Sequence, residues 1–113
     1  MAEEEIVKFS DWQKLDLRVG EIKTVEKVPD TDNLYKLEVD LGDKTQTVVS
    51  GLVPYYTEEE LKGKRIILFA NLEPRKIRGL ESKGMVLAAV SEDKKNVKLL
   101  QPDDDVELGA GVS

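Results

Sequence analysis

Cysteine and histidine are both absent from this 113-residue chain. Without cysteine there is no disulfide, no thiol nucleophile and no thiolate metal site. Without histidine the commonest general base and the commonest metal ligand are missing as well. Catalysis would have to run on carboxylates or lysines, and no spacing in the chain nominates a set of them, so an independent enzyme is not expected. Aromatic side chains are few: Phe9, Trp12, Tyr35, Tyr55, Tyr56 and Phe69. A general binder of single strands stacks bases on several aromatic platforms, and only Tyr55 and Tyr56 read as exposed ones. No apolar run approaches the ~18 residues a membrane-spanning helix needs. The acidic start, Met-Ala-Glu-Glu-Glu, lacks the basic and apolar regions of a signal peptide. A cytoplasmic protein with no membrane partner is expected.

Charge, by contrast, is abundant. Asp, Glu, Lys and Arg make up 35% of the chain, above the ~25% usual for soluble proteins. The net charge is −6 and the isoelectric point about 4.8, which on its own argues against a polyanionic partner. The distribution is uneven. Residues 1–61 carry −8 and residues 84–113 carry −3, whereas residues 62–83 carry +5. That stretch holds Lys62, Lys64, Arg65, Arg75, Lys76, Arg78 and Lys83 against Glu73 and Glu81. Salt screens charges beyond roughly 8–10 Å, so a ligand feels the local surplus and not the global deficit.

The length fits a single domain, residues 1–113. Ser10 is placed to cap a short helical turn over residues 11–14 that brings Trp12 against the core. Leu17, Val19, Ile22, Val25 and Val28 mark a long strand whose apolar phase slips near Gly20, predicting a bulge or bend there. Residues 29–32 form a turn. Tyr35, Leu37, Val39 and Leu41 alternate with Lys36, Glu38 and Asp40, the pattern of a half-buried strand. Gly42-Asp43-Lys44 turns the chain into a return strand over residues 45–50. Thr57 and Glu60 have capping-box spacing, with Leu61 turned inward and Gly63 as the stop. Residues 66–70 form a strand buried on both faces. Residues 71–84 read as a loop, residues 85–90 as a strand, and residues 97–100 as a strand that pairs with it or extends the sheet. Strands joined without helices are antiparallel. Three strands, a short helix and two or more further strands fit an all-β fold, a five-stranded OB-fold barrel with one short helix and short N- and C-terminal extensions.

Within the loop, Asn71-Leu72-Glu73-Pro74-Arg75-Lys76-Ile77-Arg78-Gly79 sets three cations in four positions. Pro74 stiffens the entry and Gly79 permits a tight exit. Arginine forks match phosphate oxygens in pairs, and lysine adds a point charge. Such a loop beside a barrel face suits a nucleic-acid backbone. On spacing alone it is equally a solvated loop whose cations pair with Glu73, Glu81 and the acidic remainder of the chain. Ser82 and Met85 flank it, the first able to donate to a phosphate, the second more usual in a core. The run Asp103-Asp104-Asp105 lacks the ligand spacing of a calcium loop and reads as a solvated tail.

Several motifs occur in order: Asp16-Leu17-Arg18-Val19-Gly20, Val28-Pro29-Asp30 through Leu34, Val39-Asp40-Leu41-Gly42 and Val49-Ser50-Gly51. They continue with Tyr56-Thr57-Glu58-Glu59-Glu60-Leu61, Asn71-Leu72-Glu73-Pro74-Arg75-Lys76, Gly79, Glu81-Ser82, Gly84-Met85 and Leu87-Ala88-Ala89. Over about residues 9–108 the chain resembles the tRNA-binding domain family. That domain is shared by the C-terminal region of methionyl-tRNA synthetases, free-standing dimeric tRNA-binding proteins and cofactors like endothelial-monocyte-activating polypeptide. The resemblance implies an OB-fold that binds tRNA by shape and backbone, without catalysis, in trans to or attached to a synthetase chain. Carried over position by position, it implies Asn71, Arg75, Lys76, Arg78, Ser82 and Met85 as tRNA-binding residues; from composition and spacing, no metal and no cofactor are expected. Arg18 matches a motif but reads as structural or as an interface residue. Many relatives have lysine where this chain has Asn33, so one cationic contact is missing.

The resemblance also implies a homodimer built from the N-terminal arm and residues after about 90. Val97, Leu99, Leu100, Val106 and Leu108 fit either a two-fold interface or the chain's own barrel. The expected partners are tRNA, a second copy and a catalytic methionyl-tRNA synthetase chain. The start at Met1 and the short tail after Leu108 favour a separate polypeptide, either a detached synthetase subunit or a free-standing protein. The competing expectation is a dimeric secretion chaperone of the same fold holding unfolded chains in an exposed apolar groove. A metal-dependent enzyme using acidic residues comes last.

Overall fold

The computed structural model describes residues 5–113, so most of the acidic start lies outside the described residues. In chain order the elements are α1 (Phe9–Trp12), β1 (Leu17–Lys27), β2 (Tyr35–Asp40), β3 (Thr45–Ser50) and α2 (Glu58–Leu61). They continue with β4 (Arg65–Phe69), β5 (Arg75–Ile77), β6 (Leu80–Ser82), β7 (Met85–Val86), β8 (Ala88–Val90) and β9 (Val97–Leu99). Five strands make one antiparallel sheet in the order β3-β2-β1-β4-β7. Its two ends curl toward each other into a nearly closed barrel, where the Lys83 amide donates to the Thr47 carbonyl at 2.8 Å. The fold is all-β and OB-like, as the element order predicts. Ile22, Leu37, Val39, Leu41, Val48, Leu61, Ile66 and Leu68 fill the interior with almost no exposed surface.

The phase slip in β1 has a different cause from the one expected. Leu17 and Val19 do not belong to the barrel interior. They form a second small cluster with Ile67, covered by Val106, Ala110 and Val112. The alternate residues, Gly20 and Ile22, face the interior, and a β-carbon on Gly20 would lie 2.5 Å from Val39. The bulge lies further on, between Ile22 and Thr24, where the register against β2 shifts. It returns Val25 to the interior side. The first half of β1 pairs with β4 and the second half with β2. The vacant edge of the first half is taken by the C-terminal segment. Val19 donates to Ala110, and Gly109 and Val112 donate to Val19 and Leu17.

α2 forms as its sequence dictates. Thr57 accepts from the Glu60 amide at 3.1 Å and Glu60 accepts from the Thr57 amide at 2.8 Å, a complete capping box. Leu61, fully buried, plugs the barrel. α1 departs from expectation. Lys8, not Ser10, occupies its cap position, without a side-chain bond. The turn starts earlier and buries nothing, leaving Trp12 38% exposed on the arm.

The expected strand over residues 85–90 is broken at Leu87. β7 stays with β4, while β8 leaves to pair with β9. Val97, Leu99 and Val106 pack on the chain's own clusters, and Leu100 remains exposed. Among the described residues no helix is long and apolar enough to cross a membrane.

Candidate nucleic-acid interface

Residues 71–84 are not an irregular loop. β5 and β6 pair antiparallel, with Arg75 opposite Ser82, Lys76 opposite Glu81 and Ile77 opposite Leu80. Arg78 and Gly79 form the two-residue tip with φ of 53° and 80°, the two positive values of a type I′ hairpin turn. Alternation then sorts the side chains. Arg75, Ile77, Leu80 and Ser82 share one face of the ribbon, on which Ser82 is buried, Ile77 and Leu80 are half-buried and Arg75 stays exposed, while Lys76 and Glu81 lie exposed on the other face. Arg75 and Arg78 are exposed at the two ends of β5.

These three cations carry no ion pair among the described residues. The pairs that form involve Lys14, Arg18, Lys23 and Lys83, the last taking Glu81 at 3.6 Å. The alternative left open by spacing, cations neutralised by Glu73 and Glu81, is therefore not realised. Their charge is available to a ligand. Between the hairpin and β2–β3 runs a groove of about 310 Å³ lined by Lys36, Thr45, Thr47, Leu80 and Lys83, among others.

The remaining expected site residues divide. Met85, 40% exposed at the start of β7, stands at the surface beside the hairpin base. Ser82 does not: it is 2% exposed, and its Oγ accepts from the Val49 amide at 3.0 Å. The hydroxyl expected to meet a phosphate is here engaged inside the barrel wall, where Ser82 fastens β6 to β3. Asn71 is exposed, yet both ends of its amide are in use. Oδ1 accepts from the Asp16 amide and Nδ2 donates to the Lys14 carbonyl, each at 2.8 Å. It ties the N-terminal arm to the entry of the hairpin. Asn33 lies exposed in the β1–β2 turn without charge.

Tyr55 and Tyr56 are not open stacking platforms. Both are half-buried, and the Tyr55 hydroxyl donates to the Lys94 carbonyl at 3.0 Å. The Tyr56 hydroxyl accepts from the Leu99 amide at 3.1 Å, fastening β9 to the barrel. Arg18, read as structural or as an interface residue, is engaged within its own chain. Its Nε donates to both Asp16 carboxylate oxygens at 3.0 and 3.1 Å. That hydrogen bond, with the charges of Asp16 and Asp43, raises its pKa further above the ordinary value. One residue was missed: Gln46, 7% exposed, is with Ser82 the buried polar pair of the described chain. A polar residue in the interior phase of β3 was its signal.

Residues 17–111 match the family model described as a putative tRNA binding domain. The chain belongs to that family. It is 56% identical over 110 residues to the methionine–tRNA ligase of Pyrococcus horikoshii, a match covering 97% of this chain and 15% of the ligase. The chain thus spans a small fraction of the curated relatives it matches. Among solved structures it resembles a MetRS-related protein from Pyrococcus horikoshii with a TM-score of 0.91 and 38% identity. That match covers 97% of this chain and 100% of the other. The chaperone CsaA of Bacillus anthracis gives a TM-score of 0.86 at 30% identity, covering 96% of this chain and 100% of the other. Solved structures with two different functional names therefore share this barrel.

Proposed function

We propose that this tRNA-binding domain holds tRNA through the β5–β6 hairpin and assists an aminoacyl-tRNA synthetase without itself catalysing a reaction. Arg75, Lys76 and Arg78 meet backbone phosphates, and Met85 contacts the RNA beside them. Asn71 and Ser82 hold the hairpin to the arm and the barrel. The observation that carries this reading is three exposed cations on a short hairpin with no carboxylate partner among the described residues. Recognition is by shape and backbone, because folded RNA offers phosphates and 2′-hydroxyls ahead of base edges. The chain works in the cytoplasm, with a methionyl-tRNA synthetase catalytic chain as its partner. It acts as a homodimer whose arm carries Ile6, Val7 and Phe9, each at least 69% exposed.

A gel-shift titration of bulk tRNA against wild type and an Arg75→Ala/Lys76→Ala/Arg78→Ala variant tests the site. With about three phosphates neutralised, log affinity falls against log salt with a slope near −2 to −3. The triple variant should bind at least tenfold more weakly with a flatter slope. Equal affinity for the two proteins overturns the site, and absence of binding by either overturns the tRNA reading. A second reading, capture of unfolded polypeptide, draws on the likeness to CsaA chaperones and on the exposed apolar arm. It predicts binding of an unfolded test protein that is nearly insensitive to salt.

A further inference from the structure

Both ends of the cationic segment converge on one buried side chain. In β3, Gln46, Val48 and Ser50 share the interior phase, opposite Val39, Leu37 and Tyr35 of β2. Gln46 is the long polar member of that row. Its Nε2 donates to the Ala70 carbonyl at 3.2 Å and to the Lys83 carbonyl at 2.9 Å. Ala70 is the residue just after β4 and Lys83 the residue just after β6, so these two carbonyls bracket residues 71–82. An amide nitrogen carries two hydrogens, and here each has its own acceptor. One side chain thereby sets the distance between the point where the chain leaves the barrel and the point where it returns.

The neighbouring residues of β3 reinforce this grip. The Thr47 carbonyl accepts from the Lys83 amide at 2.8 Å, and the Val49 amide donates to Ser82 Oγ at 3.0 Å. Gly84 leaves the space in which the Gln46 amide sits, since a β-carbon there would lie 3.3 Å from Nε2. The hairpin needs such anchoring. β5 and β6 form a sheet of their own with three paired positions, and a lone two-stranded ribbon is marginal in water. An apolar residue at position 46 would fill the interior without the cost of desolvating an amide. The glutamine makes physical sense as a holder of carbonyls.

We propose that Gln46 is a positioning residue for RNA binding. By fixing the base of the hairpin it presents Arg75, Lys76 and Arg78 as an ordered array, so that little ordering entropy is lost when RNA arrives. This inference rests on the reading of the hairpin as the RNA contact, and its test separates the two.

The decisive variant is Gln46→Met, which keeps length and volume but loses both donors. Hydrogen exchange is followed at the amides of residues 75–82 and at Ile22 and Leu37 in the interior, alongside the affinity for bulk tRNA at two salt concentrations. The expected result is exchange about tenfold faster in the hairpin, unchanged protection at Ile22 and Leu37, affinity about tenfold weaker, and a flatter salt slope. A purely structural role would speed exchange throughout while the folded fraction bound as wild type, and that outcome overturns the proposal. Unchanged exchange over residues 75–82 overturns it too. Failure of the hairpin as RNA site is seen separately, as wild-type affinity in the Arg75/Lys76/Arg78 triple variant. Should Gln46→Met not fold, Ser82→Ala probes the same grip from the hairpin side. Its readouts are the same, and the same results support or overturn the proposal.

Discussion

Gly84 lies so close to Phe69 that a β-carbon on it would stand 2.8 Å from the Phe69 carbonyl oxygen. Its φ of +100° is also a conformation that side chains rarely adopt. The obstacle is backbone of a central strand and cannot swing aside. Gly84→Ala should therefore destabilise by about 2–3 kcal/mol, combining strain and steric displacement. Chemical denaturation of the two proteins checks this: a lower midpoint at an unchanged slope is expected.

Arg78 occupies the first tip position with φ of 53°, which costs a residue with a β-carbon roughly 1 kcal/mol. Asparagine is the residue that tolerates this position best in a two-residue hairpin turn. Arg78→Asn should raise the melting temperature by a few degrees and weaken tRNA binding several-fold. Opposite movement of the two properties is the signature of strain retained for binding, and a parallel fall in both would refute it.

Glu60 links pH to the stability of α2. Hydrogen bonds from the Thr57 backbone and then its side chain lower the Glu60 pKa from its ordinary 4.5. A folded-state pKa below the unfolded value means that the stabilisation is fully present above about pH 4.5 and is lost as pH falls through the depressed value. Glutamine keeps the reciprocal capping geometry but does not titrate. The stability of wild type minus that of Glu60→Gln should be flat from neutral pH to about 5 and decline below it. Denaturant titrations across that range supply the comparison.

The N-terminal arm offers Ile6 at 92% and Phe9 at 69% exposure, with no part in the barrel core. Ile6→Asp/Phe9→Asp should leave the melting temperature of the barrel near wild type at low protein concentration. In sedimentation equilibrium it should convert a dimer into a monomer. Identical mass for both proteins would remove the arm from the interface.

Local patterns carried much of this fold into view. The alternation from Tyr35 to Leu41, the Gly42–Lys44 turn and the Thr57–Glu60 box each involve residues close in sequence, and each forms as its pattern dictates. β1 was harder, because Leu17 and Val19 are buried by Val106, Ala110 and Val112 from the far end of the chain. That second buried face imitates a bulge in the one-dimensional pattern. The hairpin at 75–82 escaped because its strands are short and rich in charge, and its tip is Arg-Gly in place of the usual Asn-Gly. The cations Arg75, Lys76 and Arg78 were legible from charge and spacing. The inward turn of Ser82 and the grip of Gln46 were not, since both depend on where β3 meets the returning chain.

The pairing of Arg18 with Gly111 joins opposite ends of the described chain. β1, the longest strand, lacks its full set of partners until residues 109–112 are present. During synthesis this leaves the Leu17–Val19 surface uncovered while the remainder of the barrel emerges. Contacts this distant in sequence slow folding, and the covering of Leu17 and Val19 follows the emergence of the rest of the barrel. Until that segment docks, the uncovered apolar edge of β1 is the kind of surface from which aggregation starts.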